Sequence, residues 1–117
     1  MLRLVAATLG LTGVAMGAFG THALDGRLGV EAQGWWDTAS FYLLVHAALA
    51  VAVSVAARDG HVRMAGWAMT LGALIFAGTL YAMALGAPRW LGAVTPLGGL
   101  GMMVGWGLLA ASGLRTR

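Results

Sequence analysis

The sequence predicts an all-α integral membrane protein, a compact bundle of four transmembrane helices with its N and C termini in the cytoplasm. Of the 117 residues, 60% are hydrophobic and 9% are charged, and the mean hydropathy is +0.83. In soluble domains, about a quarter of all residues are charged. Four apolar stretches are long enough to cross about 30 Å of hydrocarbon at about 1.5 Å per residue. They predict helices at 2–21, 30–57, 63–86 and 94–114, and we expect residues 1–117 to form a single transmembrane domain.

The arginines set the orientation of the predicted helices. The chain has seven basic residues, all of them arginine, and no cysteine. Five arginines lie on the side that holds the termini and two on the other side, so both termini are expected in the cytoplasm. The five are Arg3, Arg58, Arg63, Arg115 and Arg117. Because the arginines stand singly, without a basic stripe for phosphates, we expect the lipid bilayer and no nucleic acid as a partner.

The first predicted helix, residues 2–21, carries small residues along one face. Gly10, Gly13 and Gly17 fall on one stripe when residues are placed about 100° apart. Such a stripe lets two helix backbones approach closely in lipid, so we expect these glycines to pack helices together. Arg3 followed by an apolar run also fits a cleavable signal peptide. That alternative would leave three spans and would place the tail arginines on the wrong side.

The second predicted helix, residues 30–57, places an ionisable side chain inside the membrane. Trp35 and Trp36 are expected to mark its outer interface with the lipid headgroups. His46 follows about 15 Å further along the helix axis, and it therefore lies near the bilayer midplane. Because an unpaired polar group in hydrocarbon costs several kcal/mol, we expect a neutral His46 that faces the bundle and has a hydrogen-bond partner.

The last two predicted helices, residues 63–86 and 94–114, follow turn and capping signals. An Asp-Gly turn precedes the third helix, and Gly78 is expected to help pack it. Thr95 is the expected N-cap of the fourth helix, with Pro96 at its first helical position. Three more glycines give the fourth helix a packing stripe of its own. They are Gly98, Gly101 and Gly105.

Five polar side chains from three predicted helices fall in the outer half of the bundle. They are His22, Tyr42, His46, Thr79 and Tyr81. One interpretation is an outward-facing polar pocket in which His46 accepts a proton or holds a ligand. The other is a neutral His46 that hydrogen-bonds to Tyr42, Tyr81 or a backbone carbonyl and links helices, worth about 0.6–2 kcal/mol. Without cysteines, paired carboxylates, a phosphate loop or a metal motif, the sequence predicts no catalytic residue, no metal site and no cofactor.

Four motifs, taken in order, give the chain a resemblance to a known family. They read GAFGTHAL, WDTASFYLLVHAALA, FAGTLYAMAL and WLGAVTPLGGLGMMVGW. With them the chain resembles domain-of-unknown-function family 423, the small YgdD-like inner-membrane and transmembrane protein 256-like proteins. The resemblance implies four transmembrane helices in the bacterial inner (plasma) membrane, a retained first helix and no established activity. Leu43 and Ala77 stand where the family often has glutamine and serine, which argues against a fully hydrogen-bonding pocket.

Three hypotheses for the function follow. The first is a non-enzymatic membrane protein that associates with a second copy of itself, or with another membrane protein, through glycine-rich helix faces. The second is a small transporter or proton-coupled permeation protein with an outward-facing pocket around His46 and Tyr42. The third is an interfacial membrane enzyme that uses His22, with Asp25 or Asp37, as acid and base.

Overall fold

The structure, a computed structural model, describes residues 1–115 and confirms the all-α class. Arg117, one of the five arginines that predict the orientation, lies outside the described residues. The long helices within them are α1 (Leu2–His22), α2 (Val30–Ala56), α3 (Gly60–Ala84) and α4 (Thr95–Arg115), and a short 3-10 helix spans Arg89–Ala93. Each long helix is long and apolar enough to cross a membrane.

The start of α3 lies three residues before the predicted one because Asp59 caps it. The Asp59 carboxylate accepts a hydrogen bond from the Val62 backbone N–H at 2.9 Å. This bond satisfies one of the backbone donors that the first helical turn leaves free. The Asp-Gly pair therefore initiates the helix and does not form a separate turn before it.

The end of α3 lies at Ala84, two residues before the predicted one. Gly86 adopts a φ of +101°, which is open to glycine and strained for other residues. The Ala87 N–H then bonds to the Ala82 carbonyl at 2.9 Å, and the Gly86 N–H bonds to the Met83 carbonyl at 3.1 Å. This pair of bonds is the Schellman arrangement that closes many helix C termini.

The start of α4 differs from the capping prediction. Thr95 is itself the first residue of α4, and only Val94 separates it from the 3-10 helix. Its hydroxyl lies 2.7 Å from the Thr79 hydroxyl of α3 and 3.2 Å from the Leu91 carbonyl. The predicted N-cap role was wrong because the neighbouring helix takes up the Thr95 hydroxyl.

The helix α3 lies at the centre of the protein. It packs against α2 and α4, whereas α1 packs mainly on α2 and touches α3 weakly. Half of the α3 span is buried, against 17% of the spans that contain α1 and α4. The most buried α3 side chains are Ala65, Met69, Thr70 and Ala73. The outer faces of α1 and α4 are apolar and suit contact with lipid tails.

Glycines of α4 bring it into backbone contact with α3. A Cβ atom added to Gly98 would lie 2.6 Å from the Gly72 carbonyl oxygen, and one on Gly101 would lie 3.0 Å from the Gly72 Cα. A Cβ on Gly105 would lie 3.0 Å from another α3 carbonyl oxygen. These separations leave no room for a side chain, so the stripe of α4 is used within the chain.

The glycine stripe of α1 faces α2 in a looser contact. A Cβ on Gly13 would lie 2.9 Å from the Leu44 side chain, whereas Gly10 and Gly17 would make ordinary contacts at 3.7 and 3.9 Å. Gly78 has nothing within 4 Å, so it does not pack α3 against another helix of the described chain. It lies about 240° around α3 from Gly72, away from the α4 contact.

Candidate functional site

Both ring nitrogens of His46 are engaged inside the protein. Nδ1 lies 2.8 Å from the Tyr42 backbone oxygen, and Nε2 accepts a hydrogen bond from the indole N–H of Trp106 at 3.2 Å. Because the Trp106 nitrogen can only donate, Nε2 carries no proton, and the proton on Nδ1 is donated to the Tyr42 carbonyl. The His46 side chain is 5% exposed. The geometry therefore corresponds to a buried neutral ring with no free nitrogen.

Trp106 is the partner of His46 that the sequence-based reasoning missed. Its ring meets the His46 ring edge-on, with centroids 6.3 Å apart and an interplanar angle of 82°. A tryptophan in the middle of a span carries an N–H that needs an acceptor, and this requirement was the available signal. The pair joins α2 to α4.

Tyr42 contributes its backbone and its ring face, but not its hydroxyl, to the surroundings of His46. The two rings are parallel within 6° and their centroids lie 6.0 Å apart. Phe76 packs on the Tyr42 ring at 4.9 Å. The Tyr42 side chain is 39% exposed, and its hydroxyl makes no hydrogen bond to the described residues. The predicted pocket member thus lies on the outer surface of the helix pair.

Tyr81 lies in a separate buried layer. Its hydroxyl and the Ser40 hydroxyl are 2.8 Å apart, and its ring packs on Trp36 at 4.6 Å. Trp36 is 1% exposed and donates its N–H to the Met16 carbonyl of α1 at 2.7 Å. Its ring therefore faces protein and not lipid headgroups, because Gly20 leaves room for the indole between α1 and α2.

The last two predicted members of the polar set lie apart from His46. Thr79 pairs with Thr95, and its single hydroxyl hydrogen is shared between two carbonyls of its own helix, so the Thr79 oxygen accepts from Thr95. His22 ends α1 and is exposed. Within residues 1–115, no hydrogen bond or ion pair joins His22 to Asp25 or Asp37, and no cluster of three acidic or histidine residues could hold a metal.

The polar side chains therefore form separate bridges between helices. Each pair among α2, α3 and α4 is joined by one bridge between buried or partly buried side chains, and the Trp36 indole joins α2 to α1. The three bridges are Ser40 to Tyr81, Thr79 to Thr95 and His46 to Trp106. In the described part of the chain, no buried side-chain nitrogen or oxygen lacks a hydrogen-bond partner. Such a satisfied set can rigidify the helices.

A groove opens at each end of the described part of the chain, and neither of these two grooves is lined by His46 or Tyr42. The smaller, about 360 Å³, lies near the 3-10 helix. Beside it, the Arg89 guanidinium lies 5.4 Å from the centre of the Trp35 ring and pairs with Glu31. The larger, about 800 Å³, lies among the starts of α1 and α3 and the end of α2.

Comparisons with known proteins agree with the membrane fold. The model of a family described as protein of unknown function (DUF423) matches residues 16–99. A UPF0382 membrane protein of Staphylococcus haemolyticus is 39% identical over 101 residues, which cover 85% of this chain and 83% of the relative. The UPF0382 inner membrane protein YgdD of Escherichia coli K12 is 32% identical over 119 residues, covering 99% and 91%.

The similarity extends to a eukaryote. A UPF0382 membrane protein of Schizosaccharomyces pombe is 38% identical over 108 residues, which cover 87% of this chain and 92% of the relative. No solved structure matches the chain. The names of these relatives state a membrane location and no activity, so any function has to be argued from the geometry.

Proposed function

Because the chain belongs to the DUF423 family of membrane proteins, we propose that it is a non-enzymatic protein that acts by association with another helix in the membrane. The chain is a multi-pass protein of the inner (plasma) membrane. The arginine asymmetry supports an orientation with both termini in the cytoplasm. The partner is either a second copy of the chain or another membrane protein.

The state of His46 is the observation that carries the non-transport part of the proposal. A proton acceptor or a ligand-holding group needs a free nitrogen that faces water or a substrate. Both nitrogens of His46 are bonded within the chain, one to the Tyr42 carbonyl and one to Trp106. This supports a structural role for His46 over the alternative of a transporter or proton-coupled permeation protein.

The outer face of α4 is the surface that we propose for association. The glycines of the predicted α4 stripe are used within the chain, but Gly99 and Gly107 have nothing within 4 Å. Leu100, which lies two turns before Gly107 on the same face, is 53% exposed. Small residues beside exposed aliphatic ones allow a second helix to approach closely in lipid. These features support a helix–helix contact along α4.

Site-specific crosslinking in intact membranes tests the association. A photoreactive amino acid at Leu100 of α4 is expected to crosslink to a protein, while the same group at Leu11 on the exposed face of α1 crosslinks to lipid. Adding the substitution Gly107→Leu to the protein with the photoreactive group at Leu100 is expected to abolish the crosslink. The same substitution is expected to leave the unfolding of the chain unchanged. Crosslinking that is equal at both positions, or that persists in Gly107→Leu, would contradict the proposal.

Proton flux into proteoliposomes tests the non-transport part. The wild-type protein is expected to conduct no faster than empty liposomes, and His46→Gln is expected to behave in the same way. Trp106→Phe removes the indole N–H while keeping an aromatic ring, and it serves as the matched variant, with lower stability and the same absence of flux. A flux that requires His46 would refute the structural role and would favour the transporter hypothesis.

A further inference from the structure

The larger groove has walls from three helices at the end of the protein where α1 and α3 begin. Its volume is about 800 Å³, which lies within the range of roughly 300–1,000 Å³ typical of small-molecule sites. Leu2 of α1 lies against Gly66 of α3 and holds the two helix starts together. Its lining includes Arg3, Ala7, Ser54, Arg63 and Trp67.

The charge on the walls of this groove is positive and uncompensated. Arg3 and Arg63 both line it, and no carboxylate does. Among residues 1–115 the one ion pair joins Arg89 to Glu31 at the opposite end. The nearest acidic residue in sequence, Asp59, accepts a hydrogen bond from the backbone of α3. Two guanidinium groups therefore remain available for an anion.

The groove changes from cationic to apolar along the helix axes. Arg3 precedes Ala7 by four residues on α1, and Arg63 precedes Trp67 by four residues on α3. Residues four apart lie on the same helix face, one turn deeper. The arginines are thus at the mouth, and Ala7 and Trp67 line the floor toward the membrane interior. The Ser54 hydroxyl already donates to the Val51 carbonyl, so the arginines are the donors for an anion.

We propose that this groove binds one anionic glycerophospholipid, with its phosphate at Arg3 and Arg63 and the start of an acyl chain against Ala7 and Trp67. Guanidinium groups match the oxygens of a phosphate in charge and geometry. Basic pockets between transmembrane helices are a recurring way to hold anionic headgroups. The apolar floor favours a lipid over free phosphate, because a free phosphate would leave that floor wet. The site does not depend on an association face on α4.

Native mass spectrometry of the full chain in mild detergent tests this site, with palmitoyl-oleoyl phosphatidylglycerol as the probe and phosphatidylcholine as the neutral comparison. The wild type is expected to retain one phosphatidylglycerol in preference to phosphatidylcholine. Arg3→Gln and Arg63→Gln are each expected to weaken this binding about fivefold, and about 25-fold together. Both side chains are exposed, so their loss is not expected to affect folding.

Two control variants separate a built site from general electrostatic attraction. Arg58→Gln removes an exposed arginine at the same end but outside the groove, and binding is expected to stay within about twofold of the wild type. Ala7→Phe keeps both arginines and fills the floor, and it is expected to weaken lipid binding. The proposal is overturned if Arg58→Gln weakens binding as much as Arg3→Gln, or if Ala7→Phe has no effect.

A competition arm separates the two sources of phosphate. Inorganic phosphate is expected to displace phosphatidylglycerol only at concentrations far above that of the lipid, because it cannot contact the apolar floor. Displacement at equal concentration would assign the groove to a soluble anion and overturn the lipid proposal. Equal retention of phosphatidylcholine would overturn it as well, because the arginines would then have no role.

Discussion

Replacing Gly98 by alanine tests how α4 is held against α3. The new Cβ would lie 2.6 Å from the Gly72 carbonyl oxygen and 2.8 Å from the Phe76 Cα, and both are backbone atoms. An ordinary contact begins at 3.4 Å, so α4 would have to move away by at least about 0.8 Å, the difference between 3.4 and 2.6 Å. No side-chain rotation can relieve this overlap.

The size of the effect follows from that displacement. A gap of about 0.5–1 Å removes a quarter to a half of the dispersion attraction between the atoms that it separates. Overpacked sites typically lose about 1–3 kcal/mol, and a clash with backbone belongs in the upper half of that range. Alanine also favours the helix over glycine by about 0.5–1 kcal/mol, which offsets part of the loss.

Gly99→Ala is the matched control, because it gains the same helix propensity beside open space. We expect Gly98→Ala to be less stable than Gly99→Ala by about 2–3 kcal/mol. Reversible unfolding in mixed micelles, titrated with a denaturing detergent and followed by circular dichroism, measures the difference. If the two variants unfold at the same point, or if Gly98→Ala is the more stable, the inferred backbone contact between α3 and α4 does not exist.

Three further contacts are tested by the same unfolding measurement. Gly20→Ala places a Cβ against the buried Trp36 ring and is expected to lower the stability of the protein by about 1–3 kcal/mol. Its control is Gly10→Ala, whose Cβ meets only an ordinary contact at 3.7 Å and should not lower the stability. Tyr81→Phe removes the bridge to the α2 serine and is expected to cost about 0.6–1.7 kcal/mol; no loss would mean that the bridge is absent. Glu31→Gln breaks an exposed ion pair and should change stability by less than about 1 kcal/mol, so a larger loss would show that the pair is shielded from water.

Much of the helical framework could be predicted from the sequence. Hydropathy and length are properties of each stretch by itself, so the four spans follow from composition. The bounds of α3 shifted where single residues act locally, Asp59 as a cap and Gly86 as the left-handed residue that closes the helix. Asp59 and Gly86 are both visible in the sequence. Whether each of them caps a helix, forms a turn or lies inside a helix depends on backbone geometry.

The candidate site was harder to predict, because depth in the membrane says which residues are level and not which ones face each other. His46 and Trp106 lie at similar depths, about 15 Å along α2 from Trp36 and about 16 Å along α4 from Thr95. That match could have suggested their pairing. The separation of Tyr42 from Tyr81 could not have been foreseen, since it depends on how far α2 is rotated about its own axis.

The sequence by itself determined the class of protein, its four apolar spans and the need for partners around His46, because the cost of polar groups in hydrocarbon applies to any arrangement of these helices. Only the tertiary structure decided which residues are the partners of His46. The glycines of α4 bring that helix into backbone contact with α3. With α4 so placed, Trp106 reaches His46, and a predicted pocket becomes a set of separate bridges. Helix rotation and approach depend on contacts between distant segments, which no single stretch of sequence contains.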